Sequence, residues 1–168
     1  MDDLRVVATY AAACAQEALA IFERAHPDDA RPREAIDTAW AFARGGARGK
    51  ALRDAAWAAH KIAQHAATPA AGDAARAAMC AASAAYLHPL ANATQVKHIL
   101  GAAAYAARAA ELVAGGDRAV CAAHVAEARG RATPALVEVL ARYPAAPAGG
   151  GRVGELMREL DAALRSDL

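Results

Sequence analysis

Alanine fills about a third of this 168-residue chain, and no other feature narrows its fold so far. Alanine is the best helix former, yet its side chain ends at Cβ and buries little area. A core built from it must gain stability through close approach of helices, toward the low end, about 8 Å, of the usual interaxial range. The β-branched alternation that marks strands is absent. The length suits one domain with a real core. The expectation is an all-α fold of a single domain.

Helical spacing and turn residues place about seven to eight helices. The first runs from about Asp3 to Arg24, with Asp2 as its N-cap and a stripe including Leu4, Val7, Ala11, Ala15, Ala18 and Phe22. Pro27 ends it. The second covers about Pro32 to Arg44, stopped by Gly45-Gly46, with Arg33 and Asp37 spaced to pair. The third covers about Lys50 to Ala67. Thr68-Pro69 reads as a cap and first-turn proline for a fourth helix reaching about Leu87. His88-Pro89 interrupts the chain, and a fifth helix spans about Leu90 to Ala114. It is apolar on nearly every side, as a central buried helix is. Asp117 caps a sixth, to about Arg131. Thr133-Pro134 opens a short seventh, ending at Tyr143-Pro144.

The resulting domain organisation is a helical core over residues 1–143, a Pro/Gly-rich linker over 144–151, and an amphipathic C-terminal helix over 152–168. Val153, Leu156, Met157, Leu160 and Leu164 line one face of that last helix. The face either docks on its own domain or pairs two chains as a homodimer. Antiparallel helical hairpins fit an orthogonal bundle or a short solenoid-like stack, and no fixed-period repeat decides between them.

The formal net charge is +1, with both signs spread along the chain. That argues against a nucleic-acid partner reached through a basic face and against electrostatic steering as the main driver of any interface. The N-terminus lacks a basic n-region and a signal-type apolar run. Gln16 and Glu17 break the longest apolar stretch, so no membrane span is expected, and the cytoplasm is the expected location. Cys14, Cys80 and Cys121 are odd in number and widely spaced, as buried thiols are.

Chemistry-bearing motifs are scarce. There are two serines and no G-x-S-x-G elbow. The glycines form no nucleotide-binding pattern. His60 and His65 are five apart, a poor spacing for two ligands on one helical face. Glu23 to His26 has the E-x-x-H form of di-iron bundles but occurs once, before Pro27. The reading is therefore no enzyme, no cofactor and no metal. Two constellations remain. His98, Gly101 and Tyr105 share a helix face, with His60 possible beside them as a pocket or contact surface. The turn holding Asp28, Asp29, Arg31 and Arg33 concentrates charge, either as local capping or as a partner-contact loop.

The run Cys14 to Phe22 (CAQEALAIF), followed by Pro27 to Ile36 (PDDARPREAI), resembles a family of helical putative immunity proteins of bacterial polymorphic-toxin systems, mostly from high-GC bacteria. Ala55 to His60 (AAWAAH) and His98 to Ala107 (HILGAAAYAA) are similar to later stretches of it. The resemblance covers about Ala8 to Leu112. His88 to Lys97 and the tail after Pro144 are less typical. It implies a protein partner, a cognate toxin that the chain binds and neutralises through a surface of about 1,600 Å² in total. A helical scaffold or homo-oligomer, and a small-molecule binder or enzyme using the His98/Tyr105 face, stand as alternatives.

Overall fold

Threonine, proline and glycine set where the helices begin and end in the computed structural model, which describes residues 1–166. Eight α-helices form among them: α1 (Asp2–Ala25), α2 (Arg31–Ala43), α3 (Lys50–Gln64), α4 (Pro69–Ser83), α5 (Val96–Val113), α6 (Arg118–Arg131), α7 (Pro134–Ala141) and α8 (Gly151–Arg165). Residues 167 and 168, at the end of the expected terminal segment, lie outside the described residues. Thr68 and Thr133 each accept a hydrogen bond at Oγ1, from Ala71 N at 3.1 Å and Leu136 N at 3.2 Å. Asp117 accepts from Ala119 N at 2.8 Å. At the end of α2, Gly46 N bonds Ala41 O at 2.9 Å and Gly45 N bonds Phe42 O at 3.1 Å. Gly45 takes φ +115° there, a conformation that favours glycine.

Several boundaries differ from the sequence expectation. Met1, not Asp2, holds the N-cap position of α1, and Asp2 sits in the first turn, where its charge still favours the helix dipole. The third helix stops at Gln64 rather than Ala67, because the chain must be extended before Pro69; Thr68 has φ −136° and ψ 153°. The fourth stops at Ser83 and tightens into a 3-10 turn over Ala84–Tyr86. The fifth begins at Val96, after a 3-10 turn over Ala93–Gln95. Asn92 accepts from Thr94 N at 2.9 Å and starts that turn. Arg33 does not meet Asp37; it pairs with Glu23 across the α1–α2 turn at 2.5 Å.

Packing centres on α4, which touches α1, α2, α3 and α5. Its buried residues are alanines, one glycine and one cysteine. The expected central helix, α5, shares this role; α1 lies against both. Bulky side chains come from the other helices: Phe22, Ile36, Phe42 and Leu52 from α1, α2 and α3, and Ile99, Leu100, Leu136 and Leu156 from α5, α7 and α8. A solenoid would restrict each hairpin to its neighbours in sequence. Here α1 reaches α5 and α7, so the fold is a bundle. By length and composition α1 could cross a membrane; its apolar stripe is the part this core uses.

Gly101 shows how close the central helices come. A Cβ there would sit 3.0 Å from Cys80 Sγ on α4 and 3.2 Å from Lys97 Cγ. The face of α8 is taken up within the chain: Leu156, Met157, Leu160 and Leu164 are buried and Val153 is half-buried against a helix packed on α5, α6 and α7. Of the two expectations for this face, docking on its own domain and pairing two chains, the packing described here is the first. The expected flexible linker is also tied down. Arg165 donates to the carbonyls of Leu140, Tyr143 and Pro144 at 3.2, 3.0 and 3.3 Å. Arg158 donates to those of Pro147 and Gly149 at 2.9 and 2.8 Å, and Asp161 accepts from Ala146 N at 2.9 Å.

Glu111, 3% exposed, joins α8 to α5. Arg152 reaches it at 3.2 Å and Arg108 at 3.0 Å. Burial alone would raise its carboxyl, but the two arginines outweigh burial and hold it below the ordinary 4.5. A carboxyl depressed in the folded state adds stability above its unfolded pKa and loses that stability as pH falls through its folded value. Glu111→Gln should therefore lower the urea midpoint at neutral pH, while variant and parent converge as acid protonates Glu111 in the folded state; equal midpoints at pH 7 would show that the pair does not secure α8. For the α4–α5 contact, Gly101→Ala should destabilise by steric conflict, and Cys80→Ala should relieve it. A double-mutant cycle by denaturant unfolding should give a favourable coupling of about 0.5–3 kcal/mol; additive effects would refute the close approach.

Candidate partner-binding site

The charged turn between α1 and α2 is built from matched pairs. Asp29 accepts from Arg31 N at 3.1 Å and from Arg31 Nε at 2.9 Å. Its carboxyl is held below the usual range first by that side-chain hydrogen bond. Arg33 is neutralised by Glu23, and Asp28 is exposed. His26 anchors the turn: its ring stacks on Phe22 at 4.8 Å and its Nε2 accepts from Ala67 N at 2.9 Å. The histidine of the E-x-x-H pattern thus ties the α1–α2 turn to the α3–α4 turn. Among the described residues no group of three or more His, Cys, Asp or Glu side chains is placed to hold a metal.

His60, His98 and Tyr105 are not brought together. His60 stays with its own helix, stacked on Trp57 at 5.4 Å and 3.3 Å from Gln64 Nε2. His98 Nδ1 lies 3.0 Å from Ser83 O at the end of α4, and burial pushes its pKa down, so it is neutral near pH 7. Gly101 meets Cys80. Tyr105 lines a separate cleft of about 230 Å³ with Lys97, Met157 and the chain around Gly149. Lys97 Nζ lies 5.9 Å from its ring centroid. The three thiols are buried. Burial pushes Cys14 and Cys80 up to about 12 and Cys121 to about 11, leaving no reactive thiolate at neutral pH.

The surface most unlike a solvated helix face lies on α3. Trp57 is 60% exposed, with Lys61 Nζ 5.6 Å from its ring. Arg53 stands one turn before it. Both sides of the contact sit on a helix whose opposite stripe, Leu52, Ala59, Ile62 and Ala63, is in the core. Sequence reasoning passed over this face because it weighed total charge. The signal was there: Arg44, Arg48, Lys50 and Arg53 fall within ten residues that hold no carboxylate.

The family model described as Imm-5 like putative immunity protein matches residues 2–134, and the chain belongs to that family. The match runs from α1 to the start of α7. It includes the α1–α2 turn and the Trp57 face, and it ends before the tethered α8. No curated protein and no solved structure matches the chain.

Iodide should quench Trp57 strongly, more than caesium does, because cations flank the ring. Trp40 is half-buried and its Nε1–H donates to Gln16 at 3.0 Å. Trp57→Phe should remove most of the iodide-accessible fluorescence. An unchanged accessible fraction in that variant would place the exposed indole elsewhere.

Proposed function

We propose that this chain is an immunity protein that acts in the cytoplasm, binding a cognate toxin of a polymorphic-toxin system and blocking it by occupation rather than by turnover. The observation that carries this reading is the exposed Trp57 on the rigid α3, flanked by Arg53 and Lys61, inside the family-matched residues. Tryptophan and arginine are the residue types that dominate binding energy at protein interfaces. A large aromatic left in water on a helix whose opposite stripe is in the core loses little conformational entropy when a partner covers it.

The test is growth. The chain is co-expressed with each toxin domain encoded beside its gene, and survival is scored against the toxin alone. One toxin should be neutralised and should form a stoichiometric complex with the chain. Trp57→Ala should weaken that complex about thirtyfold, the effect of a 2 kcal/mol hot spot, with the melting temperature unchanged. Death in every pairing, with no complex formed, would refute the immunity reading.

A further inference from the structure

At Arg53, one helical turn before Trp57, the surface opens into a cleft of about 520 Å³ between the start of α3 and the chain leaving α4. Arg48, Arg53 and His88 line it, and no carboxylate does. Elsewhere in the molecule Arg31, Arg33, Arg76, Arg131, Arg142 and Arg165 each meet an acidic partner, while Arg5 and Arg158 are taken up by backbone carbonyls. Among the described residues neither Arg48 nor Arg53 has an ion pair.

Arg48 is held in place by other means. Its guanidinium carbon lies 5.9 Å from the Tyr86 ring centroid, and its Nη1 is 3.4 Å from Ala85 O. Tyr86 donates to Gly49 O at 2.7 Å, which fixes the wall behind it. A guanidinium oriented by an aromatic face and a carbonyl keeps most of its five N–H donors free, and little freedom remains for a ligand to remove.

We infer that this cleft is the receptor for an acidic segment of the protein partner, with Arg48 and Arg53 pairing Asp or Glu side chains while apolar residues of the same segment cover Trp57. The inference rests on the immunity reading and adds the chemistry of the toxin surface. Arginine–carboxylate pairs are charge-assisted and often bidentate, and a concave site shields them from water more than an open surface does. A nucleic acid fits less well: the cations near the cleft are few beside the six to ten phosphate contacts of a typical binder, and Asp54 lies exposed on the same helix.

Hexaglutamate is the probe, followed by ¹H–¹⁵N NMR of the intact chain. It should shift the Trp57 indole and the Nε–H signals of Arg48 and Arg53. Affinity should fall tenfold or more in R48E/R53E, while R118E, on the distant α6, should bind as the parent does. No shift at millimolar peptide, equal weakening by R118E, or tighter binding of hexathymidylate would each overturn the proposal. The growth assay separates it from the reading beneath it. Loss of protection in a folded R48E/R53E variant supports the cleft as the toxin contact. Full protection by that variant overturns the cleft and leaves immunity standing. Failure of the parent chain to protect overturns immunity, and with it the toxin assignment.

Discussion

The methyl group of alanine is the spacer on which this bundle depends. Helix α4 buries alanine toward every neighbour, so the distance between backbones is set by Cβ atoms rather than by interlocking long side chains. Each such contact contributes little alone, but dispersion adds up when backbones themselves come into range. The cost of this arrangement is intolerance: an added carbon meets occupied space, as the Cβ imagined at Gly101 does. The benefit is stiffness. Alanine has no rotamers to change, so a helix seated on such a surface has one resting position.

That stiffness shapes the surface. The long apolar side chains stand around the alanine centre, and several of the charged ones are settled in pairs or on backbone carbonyls. Arg5 on α1 donates to the carbonyls of Phe42, Gly45 and Gly46 at the end of α2. Arg165 does the same for α7. Cations near helix C-termini satisfy carbonyls that have no partner within the helix. Arg48 and Arg53 differ in placement: both line one cleft, and no carboxylate lines it with them.

Much of the fold was legible because its signals are local. Thr68-Pro69 and Thr133-Pro134 start helices, Gly45-Gly46 and Gly115-Gly116 stop them, and Asp117 caps, all through groups within a few residues. The errors came where a local rule met a competing one. Asn92 captured the chain before Val96 with a cap that the apolar run to its C-terminal side had hidden. The proline at position 69 shortened the helix before it. The segment from Pro144 has the composition of a linker, and arginines from α8 hold its carbonyls; no reading of composition finds partners nine to twenty-one residues away.

The site was harder to read than the fold. Spacing along one helix tells which residues share a face, as His98, Gly101 and Tyr105 do, but not which helix lies opposite; α4 took Gly101 and His98, and α8 took the neighbourhood of Tyr105. His60 belonged to another surface altogether. Net charge failed for a related reason: a sum near zero over the whole chain conceals a decade of residues with one sign.

The loop from Arg44 to Gly49 lies outside the alanine lattice while carrying one wall of the cleft. Arg44, Gly45, Ala47 and Arg48 are exposed, while Gly45 and Gly46 accept from Arg5 and Gly49 accepts from Tyr86. Substitution in the centre meets close-packed backbone, whereas the exposed side chains of Arg44, Ala47 and Arg48 have room to change around the fixed glycines. A lineage built on this bundle could therefore change its partner while its scaffold stays fixed, with evolutionary change confined to a short rim on an unchanging frame.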